Sequence, residues 1–452
     1  LEEPHGVAYR DGDLFYSTTG GLYRIRNVDT TFKDAKPELV ATFPADDHLF
    51  PLPSAESGSV TRVWHQKHPL HFNPIDPNDK GLYTAVGIPC NLCMIPADPR
   101  YGSILRYDIE TGASTIIARG IRNSVGFDWN PVSKEIWFSD NNRQGITNPD
   151  EINRISGPGQ HFGVPYIFGK KTPGFTQQEF DNPNEYVTPT LVAGAIVSDL
   201  SIDQIDPKKY VPAAFELGSG LAPVGVKFWS PRPTADGSQE LLVATHGASA
   251  HVTPGLDVRR MAIKNGKIVY QLPLINGWAQ NPNQLDAYCL SDNCIGRPTD
   301  LLTLPDNSLL ISDDVAGVIY RVTYDASALK KTNLVFHSST TPPAELANEM
   351  ISGYLIDTHG NSRAFNVGWG SAVMTLEGLD YGSYDVRLND VKNWLPTKRT
   401  ATYVLSEQAP NQLVGMSYKE RDENMTVQVT FTAPAKPVSV SAASWEIGRA
   451  HV

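Results

Sequence analysis

The sequence predicts an all-β chain, a β-propeller followed by a small β-sandwich-like domain, and three observations carry that prediction. A loose repeat recurs five times: an apolar strand, a Gly/Pro/Asp/Asn turn, a second strand ending in Asp, Asn or His, then a third with an Arg or Tyr. Period-2 alternation marks VKFW and VIYRVTY, and no segment sustains a helical stripe. After Lys330 the composition shifts, and short alternating segments divided by turn signals no longer follow the repeat.

The first copy is HGVAYRDGDLFYSTTGGLYRI (5–25), and the second is LHFNPIDPNDKGLYTAVG with YGSILRYD (70–108). The third, residues 120–165, organises the chain: strands over 124–129 and 135–139 are joined by a turn of Asn130, Pro131, Ser133 and Lys134. APVGVKFWSPRPTADGSQELLVATH (222–246) with RRMAI is the fourth, and TDLLTLPDNSLLISDDVAGVIYRVTYD (299–325) the fifth. Blades must bury their faces against neighbours, so the irregular spacing means long insertions between strands. The Tyr, Trp and Phe residues of these strands read as inter-blade packing. The expected boundaries are a propeller over 1–329, a linker over 330–344 around HSSTTPPAE, and the sandwich over 345–445. The tail 446–452, EIGRAHV, is similar to a translated sequencing-adapter read-through and is set aside. The chain opens at Leu1 without a methionine or signal peptide, so an upstream segment is expected.

At 452 residues two domains are the prior expectation. The 49 acidic against 38 basic residues give a net charge of -11, which argues against a polyanion partner, and no apolar run has membrane length. Four cysteines form two close pairs, Cys90 with Cys93 and Cys289 with Cys294. CNLC suits a zinc ribbon, but the second pair is spaced differently, and two local disulfides of a secreted protein are the expectation. The sequon Asn424-Met-Thr agrees with secretion.

The polar groups of the third copy sit at strand ends, which suits a site built on loops over a rigid scaffold. Arg122 supplies a cationic fork there, and carbonyls of the turn from Ser139 to Arg143 suit a hard cation. VWHQKHPLHFNP holds His65, His68 and His71, and strand alternation turns His68 away from His71, so the three do not all face one pocket.

RNSVGFDW, FSDNNR, PDEINRI and GQHFGVPY resemble the glucose/sorbosone dehydrogenase family of six-bladed propellers that carry pyrroloquinoline quinone (PQQ) and calcium. Within it the similarity is to the secreted fungal-type pyranose dehydrogenases, over residues 4–325. The resemblance implies a sixth blade between residues 162 and 221, and oxidation of a pyranose or related sugar at C1 by hydride transfer to the quinone. It places Arg122 at the quinone with Asn123 beside it, and Arg297 on the cofactor's carboxylates. Thr299 stands where the bacterial glucose enzymes have a second arginine, which leaves the cradle one cation short. Ala222 and Val224 replace a Trp and a Thr, and His246 replaces a cofactor-binding lysine. The base aligns at His65, with His68 as the fallback, and the calcium donors are the carbonyls of Asn142 and Arg143. Asp150 and Glu151 stand as candidates for a second, structural calcium. A haem-b cytochrome domain or another one-electron acceptor would take the electrons. Two further readings stay open: a calcium-dependent propeller lactonase using Asn123 and Asp140, and a non-catalytic propeller that binds glycans or proteins.

Overall fold

The computed structural model describes residues 4–31, 34–44, 65, 67–89, 92, 98–143, 148–170, 172–173, 210–229, 237–247, 255–279, 294–323, 332–369 and 373–421. The described residues are 51% strand and 2% helical. Among the described residues lie one short α-helix, α1 (Val28–Thr31), and one 3-10 turn (Ala344–Leu346), and none of the described helices is long and apolar enough to cross a membrane.

Each of the five sequence repeats folds as an antiparallel meander. The first sheet is β1 (Val7–Arg10), β2 (Asp13–Ser17), β3 (Gly21–Ile25) and β4 (Glu38–Thr42). The second is β5 (His71–Phe72), β6 (Leu82–Val86), β7 (Ser103–Tyr107) and β8 (Ser114–Arg119). The third runs through β9 (Phe127–Trp129), β10 (Ile136–Asp140) and β11 (Asp150–Ile155). The turn between β9 and β10 closes as its residues dictate: Asn130 Oδ1 accepts the N–H groups of Val132 and Ser133, and Lys134 takes the positive φ of 66°. Next, β12 (Gln160–His161) pairs parallel with β8, β13 (Ile167–Phe168) and β14 (Thr172–Pro173) form a hairpin, and β15 (Phe215–Gly218) completes the third sheet. The fourth sheet is β16 (Pro223–Phe228), β17 (Gln239–Thr245), β18 (Asp257–Lys264) and β19 (Lys267–Ile275), and the fifth is β20 (Pro298–Thr303), β21 (Leu309–Asp313) and β22 (Val318–Val322).

Consecutive sheets pack face to face. Phe15 and Leu22 of the first share a core with Leu82 and Tyr107 of the second, and Tyr83 and Ile104 of the second with Phe127 and Phe138 of the third. Trp137 and Ile152 of the third meet Val226, Leu241 and Val243 of the fourth, which in turn lends Leu242 and Val258 to Leu309 and Ile311 of the fifth. The innermost strands touch as well, β1 with β5, β9 with β16 and β16 with β20. The five sheets therefore fan about a common axis, as blades do. Glycine permits the closest approach: a Cβ on Gly126 would lie 2.1 Å from the Val224 carbonyl oxygen, and one on Gly225 2.6 Å from that of Thr299.

Most of the stretch expected to hold a sixth blade lies outside the described residues. The third and fourth sheets share one core directly. The linker reading of 330–344 needs correction. β23 (Asn333–Ser338) is the central strand of a C-terminal sheet, its buried Leu334 and Phe336 supplying the apolar alternation of a core strand.

The rest of that region is β24 (Ile351–Ile356), β25 (Ser362–Val367), β26 (Val373–Glu377), β27 (Gly382–Leu388), β28 (Trp394–Pro396), β29 (Thr400–Leu405), β30 (Asn411–Met416) and β31 (Tyr418–Glu420). One sheet runs β25-β24-β27-β29 and the other β26-β23-β30, with β28 and β31 paired apart. Both sheets close on one core that includes Phe336, Ile351, Phe365, Met374, Val386 and Met416. β25 also pairs with β19, Tyr270 opposite Val367 and Gln271 opposite Asn366, so the C-terminal unit continues the fourth sheet.

Candidate functional site

In the first, third and fourth meanders the residues just before the inner strand meet those at the end of the second strand. Ser17 accepts at Oγ from the Gly6 N–H, the Asn141 N–H donates to the Asn123 carbonyl, and the His246 N–H donates to that of Ala222. These contacts bring the polar strand ends of the repeat together at one end of each of those sheets.

Arg122 is buried, 3% exposed. Its backbone N–H and that of Asn123 both donate to the Asp140 carboxylate, at 2.9 and 2.7 Å, and its guanidinium donates to the Asn141 carbonyl at 2.6 Å. Burial lowers its pKa to about 10; Asp140 and Asp150 resist that shift, and Arg143 adds to it. The buried Arg143 therefore stands close enough to act on Arg122. The resemblance gives Arg143 a role only through its carbonyl, whereas its charge also bears on Arg122.

Three carboxylates answer these cations. Burial raises Asp140, and also Asp150, to about 6 in the latter, while Glu151 is raised by burial and by Asp140. Asp150 accepts the N–H groups of Asn142, Leu221 and Ala222, at 2.8, 2.7 and 3.0 Å, and so ties the third sheet to the fourth. Glu151 accepts from Asn142 Nδ2, Asn153 Nδ2 and the Gly169 N–H. With three donors each, Asp150 and Glu151 are buried anchors for the loops around them. Asp140 accepts one N–H on each oxygen, Arg122 at Oδ2 and Asn123 at Oδ1. The repeat pattern, a second strand ending in Asp or Asn, was the available signal for this organising role.

His65 lies beside Arg122. A Cβ on Gly87 would meet both His65 Cβ, at 2.5 Å, and the Arg122 carbonyl oxygen, at 2.9 Å. His65 Nδ1 is 2.7 Å from the Ile88 carbonyl, which only accepts, so Nδ1 carries the proton and Nε2 the lone pair. Burial and the Arg122 charge hold its pKa well below the usual histidine value. Its backbone has φ of 59° and that of Ala222 48°, a left-handed conformation that side chains rarely adopt without a structural reason. His68, the fallback base, faces elsewhere: its Nδ1 bonds the Ala85 carbonyl at 3.0 Å and its ring packs on Phe43, inside the core between the first two sheets. His71 packs on Phe127.

On the fifth sheet's side, Arg297 donates from Nε to the His246 carbonyl at 2.7 Å and from Nη2 to that of Gly247. His246 Nε2 pairs with Asp314 Oδ1 at 2.9 Å, a partner the sequence reading did not name. Thr299 Oγ1 donates to the Arg297 carbonyl at 3.3 Å. Buried Val224 accepts at its carbonyl from Ser139 Oγ, 2.8 Å away. A chain of bonds runs from the third sheet to Arg297: Asp150 accepts the Ala222 N–H, the Ala222 carbonyl accepts that of His246, and the His246 carbonyl accepts from Arg297.

The rim suits a hard cation and an anionic ligand in its donor types. Asn123 Oδ1 and Asn142 Oδ1 are buried acceptors with no hydrogen-bond partner among the described residues, beside the guanidinium-bearing segment 122–143. Oxygen acceptors left in this way fit calcium or a ligand's donor, and buried guanidinium groups fit carboxylates. The described cysteine Cys294 is disulfide-bonded; Cys289, its expected partner, together with Cys90, Cys93, the sequon at Asn424 and the tail, lies outside the described residues.

No family model matches the chain. An uncharacterised protein of Borreliella burgdorferi is 28% identical over 340 residues, 72% of this chain and 76% of that protein. The calcium structure of Trichoderma reesei Carbohydrate-Active Enzymes Family AA12 aligns with a TM-score of 0.47 at 19% identity, over 70% of this chain and 80% of that one. The holo form of the pyranose dehydrogenase PQQ domain from Coprinopsis cinerea aligns with a TM-score of 0.50 at 15% identity, over 70% of this chain and 81% of that one. At such identity the likeness speaks for architecture alone: this chain shares the fold of that PQQ domain.

Proposed function

We propose that this protein is a PQQ- and calcium-dependent dehydrogenase that oxidises a pyranose or related sugar at C1 in a six-bladed propeller, outside the cell, and passes electrons to a cytochrome or other one-electron acceptor. The observation that carries the reading is the placement of His65 beside Arg122 on one buried rim, in a fold shared with a PQQ domain. When bound, the quinone would supply the hydride acceptor. Arg122, Asn123 and Arg143 would hold it from the third sheet, His246 and Arg297 from the fourth and fifth, and the carbonyls of Asn142 and Arg143 would hold calcium. His65 would take the proton of the anomeric hydroxyl at Nε2, since Nδ1 is engaged by Ile88 and the neighbouring guanidinium keeps the ring neutral. Asp140 and Asp150 would keep the loops in place through the main chain, and Ala222, smaller than the Trp of the glucose enzymes, would widen the sugar entry.

Titration of the apoprotein with PQQ, followed by absorbance with and without a chelator, tests the reading. Saturable binding that calcium strengthens, and sugar-dependent dye reduction by the loaded protein, are the expected results. Lactone hydrolysis without PQQ would replace this proposal with a hydrolase, and failure of both assays would leave a binding propeller.

A further inference from the structure

We infer that the C-terminal unit is a positioning element of the candidate site, acting through a buried polar chain that ends at the carbonyls seating Arg297. The inference rests on the proposed site only in giving Arg297 a ligand to hold. Asn366 on β25 accepts at Oδ1 from Gln271 Nε2 on β19, 2.8 Å away. Gln271 Oε1 in turn faces Arg259 Nη1 at 3.5 Å, the weakest link. Arg259 grips Asp257 at two points, Nε to Oδ1 at 3.0 Å and Nη2 to Oδ2 at 3.2 Å. Asp257 Oδ1 accepts from Thr245 Oγ1 at 2.6 Å. Thr245 is followed directly by His246 and Gly247, whose carbonyls receive the Arg297 guanidinium.

Two features set this chain apart from ordinary sheet packing. Thr245, Asp257, Arg259 and Gln271 are each 7% exposed or less, and a buried ion pair adds little net stability over apolar packing. What it does provide is one defined geometry. Further, the residues ending β2 and β10 brace their own inner strands, Ser17 through the Gly6 N–H and Asp140 through those of Arg122 and Asn123. Thr245 at the end of β17 bonds outward to Asp257 instead, so the fourth sheet's rim is braced from the side where the C-terminal unit joins. Ala262, Tyr270 and Leu272 of that blade already belong to the C-terminal core.

The test uses the full chain with Asn366→Leu, Gln271→Leu and Asn366→Asp, the last of which keeps the acceptor. Hydrogen exchange is read at His246 and Gly247, whose N–H groups bond the Ala222 and Leu221 carbonyls, against β6 and β7 of the second sheet. A neutral hydrogen bond of ordinary worth predicts about fivefold to tenfold faster exchange at His246 and Gly247 in the two leucine variants, with β6 and β7 unchanged and Asn366→Asp near wild type. PQQ affinity of the apoprotein should fall and recover in the same order. Unchanged exchange at the rim, equal acceleration in every sheet, or no recovery in Asn366→Asp would overturn the inference. If Gln271→Leu does not fold, Asn366→Leu decides. Wild-type protein that binds no PQQ would defeat the proposed function, and the exchange result would still decide this one.

Discussion

Arg122 and Asp140 meet through the main chain and not as fork and carboxylate: Asp140 accepts the N–H groups of Arg122 and Asn123, while the Arg122 guanidinium turns to the Asn141 carbonyl. The carboxylate is spent on holding the loop, and the cation is carried by the loop so held. Asp140→Asn puts an amide donor against one of those N–H groups and should cost about 1–3 kcal/mol. Denaturant unfolding reads that loss, and a PQQ titration should show weaker binding by the same variant.

His65→Ala should slow sugar-dependent dye reduction roughly 10²–10⁴-fold, the usual worth of a positioned base, with PQQ affinity nearly unchanged. Because burial and Arg122 depress the His65 pKa, the ring stays neutral across the ordinary histidine range. Protonation of His65 should therefore cause no loss of rate between about pH 8 and 6.5. A full rate in the alanine variant would remove His65 from the mechanism.

His68 gives a stability prediction instead. Buried with Nδ1 on the Ala85 carbonyl, its pKa is lowered to about 4, so the unfolded chain binds the proton first. Its contribution is fully present above the unfolded value and is lost as pH falls from about 6.5 toward 4, a change on the order of 3 kcal/mol. His71, lowered to about 3 by burial, acts with the same sign. Melting temperature against pH should show a shallower acid slope in His68→Phe than in wild type.

Gly126 should not accept a side chain. A Cβ there would lie 2.1 Å from the Val224 carbonyl oxygen, and backbone cannot step aside as a flexible side chain does. Gly126→Ala should destabilise the contact between the third and fourth sheets by about 1–3 kcal/mol. Calorimetry would measure it, and an unchanged melting temperature would mean that the two inner strands approach less closely.

Much of the architecture was legible in the residues themselves. Apolar alternation, turn residues and a recurring polar strand end are local signals, and they marked all five sheets, while the family resemblance assigned His65 and Arg122 to one site. The linker reading failed because HSSTTPPAE carries turn-like residues directly after the apolar NLVF, and only pairing with β26 and β30 shows that β23 starts earlier and is central. The tie that Asp150 makes between the third and fourth sheets was not legible for a related reason: a carboxylate looks the same in sequence whether it faces solvent or three N–H groups.

What the sequence by itself determined is therefore the set of strands and the residue types at their ends, since both follow from short-range periodicity. Tertiary structure alone decided which ends meet: that the Arg143 guanidinium acts on Arg122, that Asp314 pairs with His246, and that Gln271 reaches Asn366 across 95 residues of chain. Those contacts depend on how twisted sheets stack around an axis, a long-range geometry that no local pattern encodes.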